Sequence, residues 1–547
     1  MTSTFHGLEV AKRGMSTQQA ALYTTGQNIA NANTPGYSRQ RVNFEQTEPY
    51  PAPSMNRPEI PGQMGTGVKA GSIQRVRENF LDLQYRDEQN KVGYWTARAD
   101  AVTKMEDILN EPSDSGLANT MDKFWKSLQV LSTSPENSGA RSVVLSNGKA
   151  VAETFQYLSN SLSAIQKDLS SQASVTVKEI NSIAKQLGDI NKQIKEIEPH
   201  GYLPNDLYDE RDRLIDQLTG LVDVKVEMKP STQPGVPSNA SKMAEGIANI
   251  ILVDGAGVEH YLVEGTKGNA LSFPTVPPNS GLVDVPPETG VTKMAIVNQD
   301  GTALTNEDGT AASTATLDFN DKFPSGKLRG IIESFGYSDG TTSKGLYPEA
   351  LDKLDQMAYS FGQLFNAVHQ TGYELNGTDP SGKDFFSGVG AQKDAAKNIG
   401  VNLSQGSEIA VSTEPGTAGN GSNAINLSNV KSYQLNQSTI TLVGTTTTID
   451  LTAMNLPIKN GTIQSFYEAI IGQVGVDGQQ ANRMLDNSDK LRQSVDERRQ
   501  SVSAVSLDEE MTNMIQFQHA YNAAARNITV VDEMLDKIIN GMGLVGR

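Results

Sequence analysis

The two ends of this chain repeat in sevens, and that limits what it can fold into. Leu507, Met514, Tyr521, Ile528 and Leu535 stand seven residues apart. Phe517, Ala524, Val531 and Ile538 form a second column three positions on, broken only by Glu510 at its start. An a/d pattern of this length, free of proline, predicts a long helix with a narrow apolar seam that lies along other helices. The N-terminus mirrors it with Leu8, Met15, Leu22 and Ile29, between which fall Ala11, Gln18, Thr25 and Ala32. Matching seam helices at both ends suit a chain that joins an assembly better than one that encloses a substrate.

At 547 residues the chain exceeds one core, and three or four domains are expected. No apolar run approaches the roughly 18 residues needed to span a bilayer. The first fifteen residues hold no apolar h-region, so no cleaved secretory signal is expected. The net charge is −17 without a Lys/Arg cluster, which argues against a nucleic-acid partner. There is no cysteine, so disulfides, thiolate metal sites and cysteine nucleophiles are excluded, and folding needs no oxidising compartment.

Along the chain, residues 4–32 read as the first seam helix, ended by the breaker-rich Asn31–Gly36. Residues 49–71 hold five prolines and four glycines and read as loop or hairpin. Helix returns near Phe80, with Trp95, Val102 and Leu109 seven apart and Pro112 as the stop. Another helix is expected over 117–131. Ile180, Ile183, Leu187, Ile190, Ile194 and Ile197 follow a strict 3-4 spacing, that of a coiled-coil stripe. Asn205 is expected to cap a shorter helix carrying Leu214, Leu218 and Val222.

From 226 the texture changes to short β-branched runs among Pro, Gly, Ser and Thr. Ile250–Val253 and His260–Val263 suggest strand, turn, strand. Helix resumes over about 348–370. A second β-like stretch follows to 458, its clearest strand at Thr439–Thr452, and helix continues from Ile463 to the end. The expected fold is multidomain and mainly α, with terminal coiled-coil helices, an elongated helical bundle and inserted small β domains. Residues 1–45 with 505–547 form the terminal assembly domain. Residues 75–225 with 325–374 and 460–504 form the bundle. Residues 226–322 and 375–459 form a β-rich insertion of one or two domains.

Motifs that might carry chemistry fail on context. Gly336-Tyr337-Ser338-Asp339-Gly340 fits the nucleophile-elbow spacing, but loop follows it, and His369 and His519 downstream sit in helices. Gly377–Lys383 nearly matches a phosphate loop, but Asp384 stands where Ser or Thr should hold magnesium, and its carboxylate would repel phosphate. His6, His200, His260, His369 and His519 show no metal-ligand spacing, and His519 reads as a helix-face residue. Asp508-Glu509-Glu510 opens the last helix, where carboxylates meet the positive dipole end; Glu510 also intrudes on the seam and can set its register. No enzyme activity, metal or cofactor is expected.

Asn28-Ile29-Ala30-Asn31-Ala32-Asn33-Thr34-Pro35-Gly36-Tyr37, followed by Ser38-Arg39-Gln40, resembles the N-terminal signature of the bacterial flagellar axial proteins of rod, hook and hook-associated type. Leu507–Glu510 with Phe517-Gln518, Tyr521, Ala524-Ala525-Arg526 and Asp532-Glu533-Met534 resembles their C-terminal segment. Asn205, Asp206, Leu207, Asp209, Arg211, Asp212 and Leu214 lie in a stretch similar to an internal motif of the hook-associated protein 1 family. Gly372–Gly377 with Phe385-Phe386 looks like another.

The resemblance implies a non-catalytic structural protein at the hook–filament junction, outside the cell and exported unfolded by the flagellar type III route. It implies a ring of copies, with the hook protein and a second hook-associated junction protein as neighbours. It also implies a cytosolic export chaperone acting on the C-terminal segment. A hook or distal-rod subunit is the alternative, since the Asn31–Tyr37 motif is shared. The terminal helices are expected to pair with each other and with neighbouring copies, gaining order only in the assembly, because a lone seam helix buries too little to offset its ordering entropy.

Overall fold

The computed structural model describes residues 5–51, 55, 62–109, 113, 116–231, 239–254, 257–273, 286, 290–304, 316–319, 323–338 and 343–541. The stop assigned to Pro112 and parts of the 49–71 and 226–322 stretches fall outside these residues. Helix α1 (His6–Ala30) gives way to a turn in which Gly36 adopts a φ of +83°, a left-handed backbone that a side chain resists. Strands β1 (Gln40–Gln46) and β2 (Val68–Arg75) then form an antiparallel hairpin with a bulge at Asn43/Phe44. The hairpin lies along α1, where Thr17 Oγ1 donates to Val68 O at 3.1 Å and Arg13 Nη1 to Thr66 O at 3.2 Å.

Helices α2 (Asn79–Leu109), α3 (Leu117–Thr133) and α4 (Ser138–Ile197) follow. The 60 residues of α4 run for about 90 Å at the helical rise. Asn137 caps its start, accepting from Ala140 N at 3.1 Å. Helix α5 (Asn205–Leu221) starts differently from the expectation. Pro204 precedes it, and Asn205 spends its side chain elsewhere, donating from Nδ2 to Ile73 O at 3.0 Å and so tying α5 to β2.

Six strands come next: β3 (Lys225–Lys229), β4 (Ile247–Val253), β5 (Glu259–Glu264), β6 (Lys267–Ser272), β7 (Lys293–Asn298) and β8 (Thr316–Asp318). They pair antiparallel in sequence order. The strand-turn-strand at 250–263 is present, with Ile250 opposite Val263 and Leu252 opposite His260. This sheet also changes the reading of the α4 stripe. Ile180, Ile183, Leu187, Ile190 and Ile194 are buried, as their spacing requires, but α4 packs there on the sheet and not as a coiled coil. Two features suit it to a sheet. Gly188 permits close approach, since a Cβ there would sit 2.7 Å from Gly268 N. Buried Asn181 and Asn191 donate to Leu271 O at 2.9 Å and Ala248 O at 2.7 Å.

Helix α6 (Lys327–Phe335), strands β9 (Tyr337–Ser338) and β10 (Ser343–Lys344), and helix α7 (Leu346–Thr371) follow. The stretch 375–459 carries less strand than its composition suggests. It holds β11 (Phe386–Ser387), α8 (Ala395–Asn398), β12 (Gly400–Val401), α9 (Ser422–Asn429), β13 (Thr439–Thr441), β14 (Thr448–Asp450) and α10 (Leu451–Met454). The long strand expected at Thr439–Thr452 is broken by Gly444, whose φ is +78°, and closed by Asp450, which caps α10 through Thr452 N and Ala453 N. Helices α11 (Ile463–Ser503) and α12 (Leu507–Gly541) complete the chain. α11 runs antiparallel to α2, with Arg492 facing Gln89 and Arg499 facing Asp82.

One continuous apolar core extends from Ala97 to Val474 and joins the helices, the sheet and the 385–458 stretch. Phe124, Trp125, Phe155, Phe361, Phe365, Phe385 and Phe386 interlock within it. Edge and tilted ring contacts of this kind add to the area they bury. Ala11, Ala21 and Val42, the buried apolar residues of α1 and the hairpin, lie outside that core.

Candidate functional site: where the two ends meet the body

α1 and α12 pack antiparallel within the single chain, so, against the expectation that the ends gain order only in the assembly, each helix finds its first partner in the other. Asn28 meets Glu510, an ideal Cβ on Gly14 would lie 4.0 Å from Ala524 Cβ, and one on Gly7 would lie 3.7 Å from Val531 Cγ2. The facing pairs step by sevens along both helices, as the heptads demand. The seam on α1 is set one residue away from its expected place. The buried residues are Ala11, Thr17, Ala21, Thr24, Thr25 and Asn28, whereas Leu8, Met15, Leu22 and Ile29 are half-buried. Small residues let the two backbones close up, and the larger ones are displaced to the flank. On α12, Met514, Phe517, Tyr521, Ala524, Ile528, Val531 and Leu535 are half-buried, and Leu507 and Ile538 are exposed. Phe517 also meets Phe44 of β1 edge-on, with centroids 5.9 Å apart.

The 28–37 signature closes on this pair. Asn28 is buried and uses both ends of its amide. Nδ2 donates to Gln40 O at 2.8 Å and Glu510 Oε2 at 3.0 Å; Oδ1 accepts from Tyr37 OH at 2.9 Å and Gln40 N at 3.0 Å. Arg39 Nε binds the other oxygen of Glu510 at 2.7 Å. Glu510 is therefore a paired, 2% exposed carboxylate at the seam's start. Burial, with Asp209, Asp206 and Glu510 nearby, holds the Tyr37 hydroxyl well above its usual pKa, so it remains a donor. Asn31 accepts from Thr34 Oγ1 at 3.2 Å to shape the turn. Asn33, Thr34, Pro35 and Gly36 are exposed, and Gly36 lies against the Arg213 side chain.

The 205–214 motif receives this end of the chain. Asp209 Oδ2 accepts from Ser38 N at 3.0 Å, and Gln40 Nε2 reaches Asp206 Oδ1 at 3.4 Å. Arg75 Nη1 binds Asp209 at 2.8 Å and Asp212 at 2.9 Å, while its Nη2 binds Glu245 at 2.6 Å. Arg77 bridges Asp212 at 2.9 Å and Asp82 at 2.7 Å. Arg86 and Arg499 both bind Asp216, at 2.8 Å and 2.7 Å. Arg211, fully buried, donates to Gly246 O at 3.0 Å and to Glu245. Arg75, Arg77, Arg86, Arg211 and Arg499 thus face Asp82, Asp209, Asp212, Asp216 and Glu245 in a balanced cluster.

Burial alone would raise the Asp212 carboxyl; Arg211, Arg75, Arg77 and Arg86 outweigh it and hold Asp212 well below the usual range. For Asp209 burial wins over Arg75 and Ser38, and its pKa rises. Leu214 is buried in the body's core and Leu207 is packed against it.

Of these arginines only Arg211, within the 205–214 motif, was singled out in the sequence; Arg75, Arg77, Arg86 and Arg499 were not. The acidic residues of 206–212 need cations, and Arg75 and Arg77 stand two apart at and just past the end of β2, but only the fold shows which arginines answer. The lookalike motifs have other partners. Lys383 of the phosphate-loop lookalike is bound by Glu374 at 3.0 Å and Glu408 at 3.4 Å. Ser338 of the elbow lookalike sits in the β9–β10 ladder; Asp339 and Gly340 lie outside the described residues. His519 is exposed on α12. Among the described residues no three His, Asp or Glu side chains stand together as metal ligands, and no helix is long and apolar enough to cross a membrane. The site is built to hold elements together.

Comparison with known proteins agrees in extent. A family described as "Flagellar hook-associated protein FlgK helical domain" matches residues 102–386. "Flagella basal body rod protein" matches residues 8–37, and "Flagellar basal body rod FlgEFG protein C-terminal" matches 497–541. Flagellar hook-associated protein 1 of Bacillus subtilis is 42% identical over all of both chains. The Escherichia coli protein of the same name is 27% identical over 83% of this chain and 70% of its own. The solved structure of the flagellar hook junction protein FlgK from Burkholderia pseudomallei superposes with a TM-score of 0.52 over 78% of this chain and 100% of that one. At 14% identity that likeness speaks to the fold.

Proposed function

The chain belongs to the flagellar hook-associated protein 1 family, and from that premise we propose that it builds the hook–filament junction by self-assembly through its terminal helices. The observation that carries the mechanism is the unequal dressing of the α1–α12 pair. Leu8, Met15, Leu22 and Ile29 follow the Gly7, Gly14, Ala21, Asn28 contact column by one residue. Met514, Tyr521, Ile528 and Leu535 follow the Glu510, Phe517, Ala524, Val531 column by four. At 100° per residue both offsets turn the same way, and in an antiparallel pair that brings both stripes to one flank. His6, Val10, Arg13 and Thr17, on the other flank, touch the hairpin. One side of the pair is covered by its own chain, and the other presents eight half-buried apolar residues to a neighbour.

The partners we assign are further copies in a ring, the hook protein on one side and a second hook-associated protein on the other, with a cytosolic export chaperone on the C-terminal segment. We assign its site of action to the outside of the cell, reached by the flagellar type III export route. The end segments alone would equally suit a rod or hook subunit; the 102–386 match, which includes the 205–214 motif, favours the junction. Electron microscopy of cells lacking this chain tests the reading. Hooks without filaments, with flagellin shed into the medium, are expected; full filaments in the deletion strain would refute it.

A further inference from the structure

We propose that the ion cluster around Asp212 is a charge-latched hinge: it sets the angle between the terminal unit (α1, the β1–β2 hairpin and α12) and the body, and releases that angle when its cross-links are removed. Three observations support it. First, the chain crosses from unit to body only at 76–78 and 504–506, both short non-helical links. Second, the side-chain bonds across the joint are polar. Asp209 takes the Ser38 N–H, Asn205 donates to Ile73 O and to Gln40 Oε1, Gln40 reaches Asp206, and Arg75 forks onto Asp209, Asp212 and Glu245 while its guanidinium covers the Tyr208 ring at 5.2 Å. None of the described apolar residues of α1, β1, β2 or α12 joins the body's core. Third, the joint is flanked by open space. A cleft of ≈240 Å³ lies between the Asn31–Tyr37 turn and α5, and another of ≈410 Å³ lies where Arg75 and Arg77 meet α2, α5 and β3.

An interface between domains that lacks an apolar core leaves relative motion as the default. Here that default is overridden by directional bonds. Arg75 contributes most of them from the terminal side, and its planar fork fixes an orientation that a point charge does not. With the fork gone, the unit can rock about its two links, closing one cleft as it opens the other. One subunit shape could then meet neighbours set at different angles on its two faces. That use rests on the junction reading; the hinge itself does not.

The chain has no cysteine, so two can be placed cleanly: Gln518→Cys on exposed α12 and Lys195→Cys on exposed α4. The spin-labelled full chain, diluted into unlabelled chain, is measured by double electron–electron resonance. The parent should give one narrow distance distribution. Arg75→Ala should broaden it about twofold or more while far-UV circular dichroism keeps its helix content, and Arg75→Lys, which retains the charge without the fork, should fall between. A distribution as narrow as the parent's in folded Arg75→Ala and in Arg75→Lys would overturn the hinge. If Arg75→Ala loses helix, Arg75→Lys decides alone: broadening supports the hinge and an unchanged peak overturns it. The readout is on the isolated chain, so a wild-type deletion phenotype would sink the junction reading and leave this result untouched.

Discussion

Asp212→Asn is the sharpest perturbation of the cluster, because it keeps the side chain's shape and deletes one charge. The carboxylate receives Arg75 and Arg77 at 2.9 Å each, with Arg211 at 3.5 Å and Arg86 at 3.7 Å. Five cations and five anions would become five and four, leaving a guanidinium charge unpaired where Arg75, Arg77 and Arg211 are each less than 10% exposed. Removing one partner of a buried pair costs about 3–5 kcal/mol. At about 2.1 cal/mol/K per residue, over the roughly 430 residues from 76 to 503, that corresponds to a fall in Tm of about 3–6 °C. Differential scanning calorimetry at pH 7 reads it. The control is Asp168→Asn, which removes the exposed pair with Lys104 and should cost about 1 kcal/mol or less. A Tm for Asp212→Asn within about 1 °C of the parent, in the range a surface pair can produce, would show that the cluster does not bind its elements together.

Two other outcomes follow from the packing. His369 is neutral in the fold, with Nδ1 bonded to Lys383 O at 2.8 Å and Nε2 accepting from Ala410 N at 3.0 Å; burial lowers its pKa to about 4. As pH falls the unfolded chain takes up that proton first, near 6.5, so stability is full above pH 6.5 and drops by about 3 kcal/mol toward pH 4. Urea midpoints at pH 7 and 4.5 should therefore converge more in His369→Gln than in the parent, and equal pH slopes would contradict the assignment. Ala21→Leu overfills the contact column between α1 and α12, where Ala21 is 1% exposed. It should cost about 1–3 kcal/mol of pairing, seen as faster hydrogen exchange across α12 with the body unchanged; unaltered exchange in α12 would argue against close packing there.

The sequence's periodicities located nearly every helix, because heptads and 3-4 stripes report burial directly. They did not report on what. Ile180–Ile194 reads the same against a helix or a sheet, and only Gly188 with Asn181 and Asn191, which suit a sheet's close approach and its carbonyls, distinguishes them. Leu8, Met15, Leu22 and Ile29 marked the right helix but not the column that meets α12, since a stripe of Gly7, Gly14 and Ala21 gives no hydropathy signal although it permits close contact. The signatures at 28–37 and 205–214 were visible as motifs. Their meeting was not, because it rests on the Ser38 N–H reaching Asp209 and on Arg75, from an element far from either motif, holding Asp209 and Asp212.

Assembly rests on the apolar flank of the terminal pair, and a charge placed there should abolish it. Ile528→Asp places a carboxylate within that flank, roughly 30 Å along α12 from its link to the body. Produced in the deletion strain, this variant should be made and should keep the parent's thermal unfolding, yet electron microscopy should show hooks without filaments. Normal filaments and swimming in that strain would mean the flank is not where copies meet.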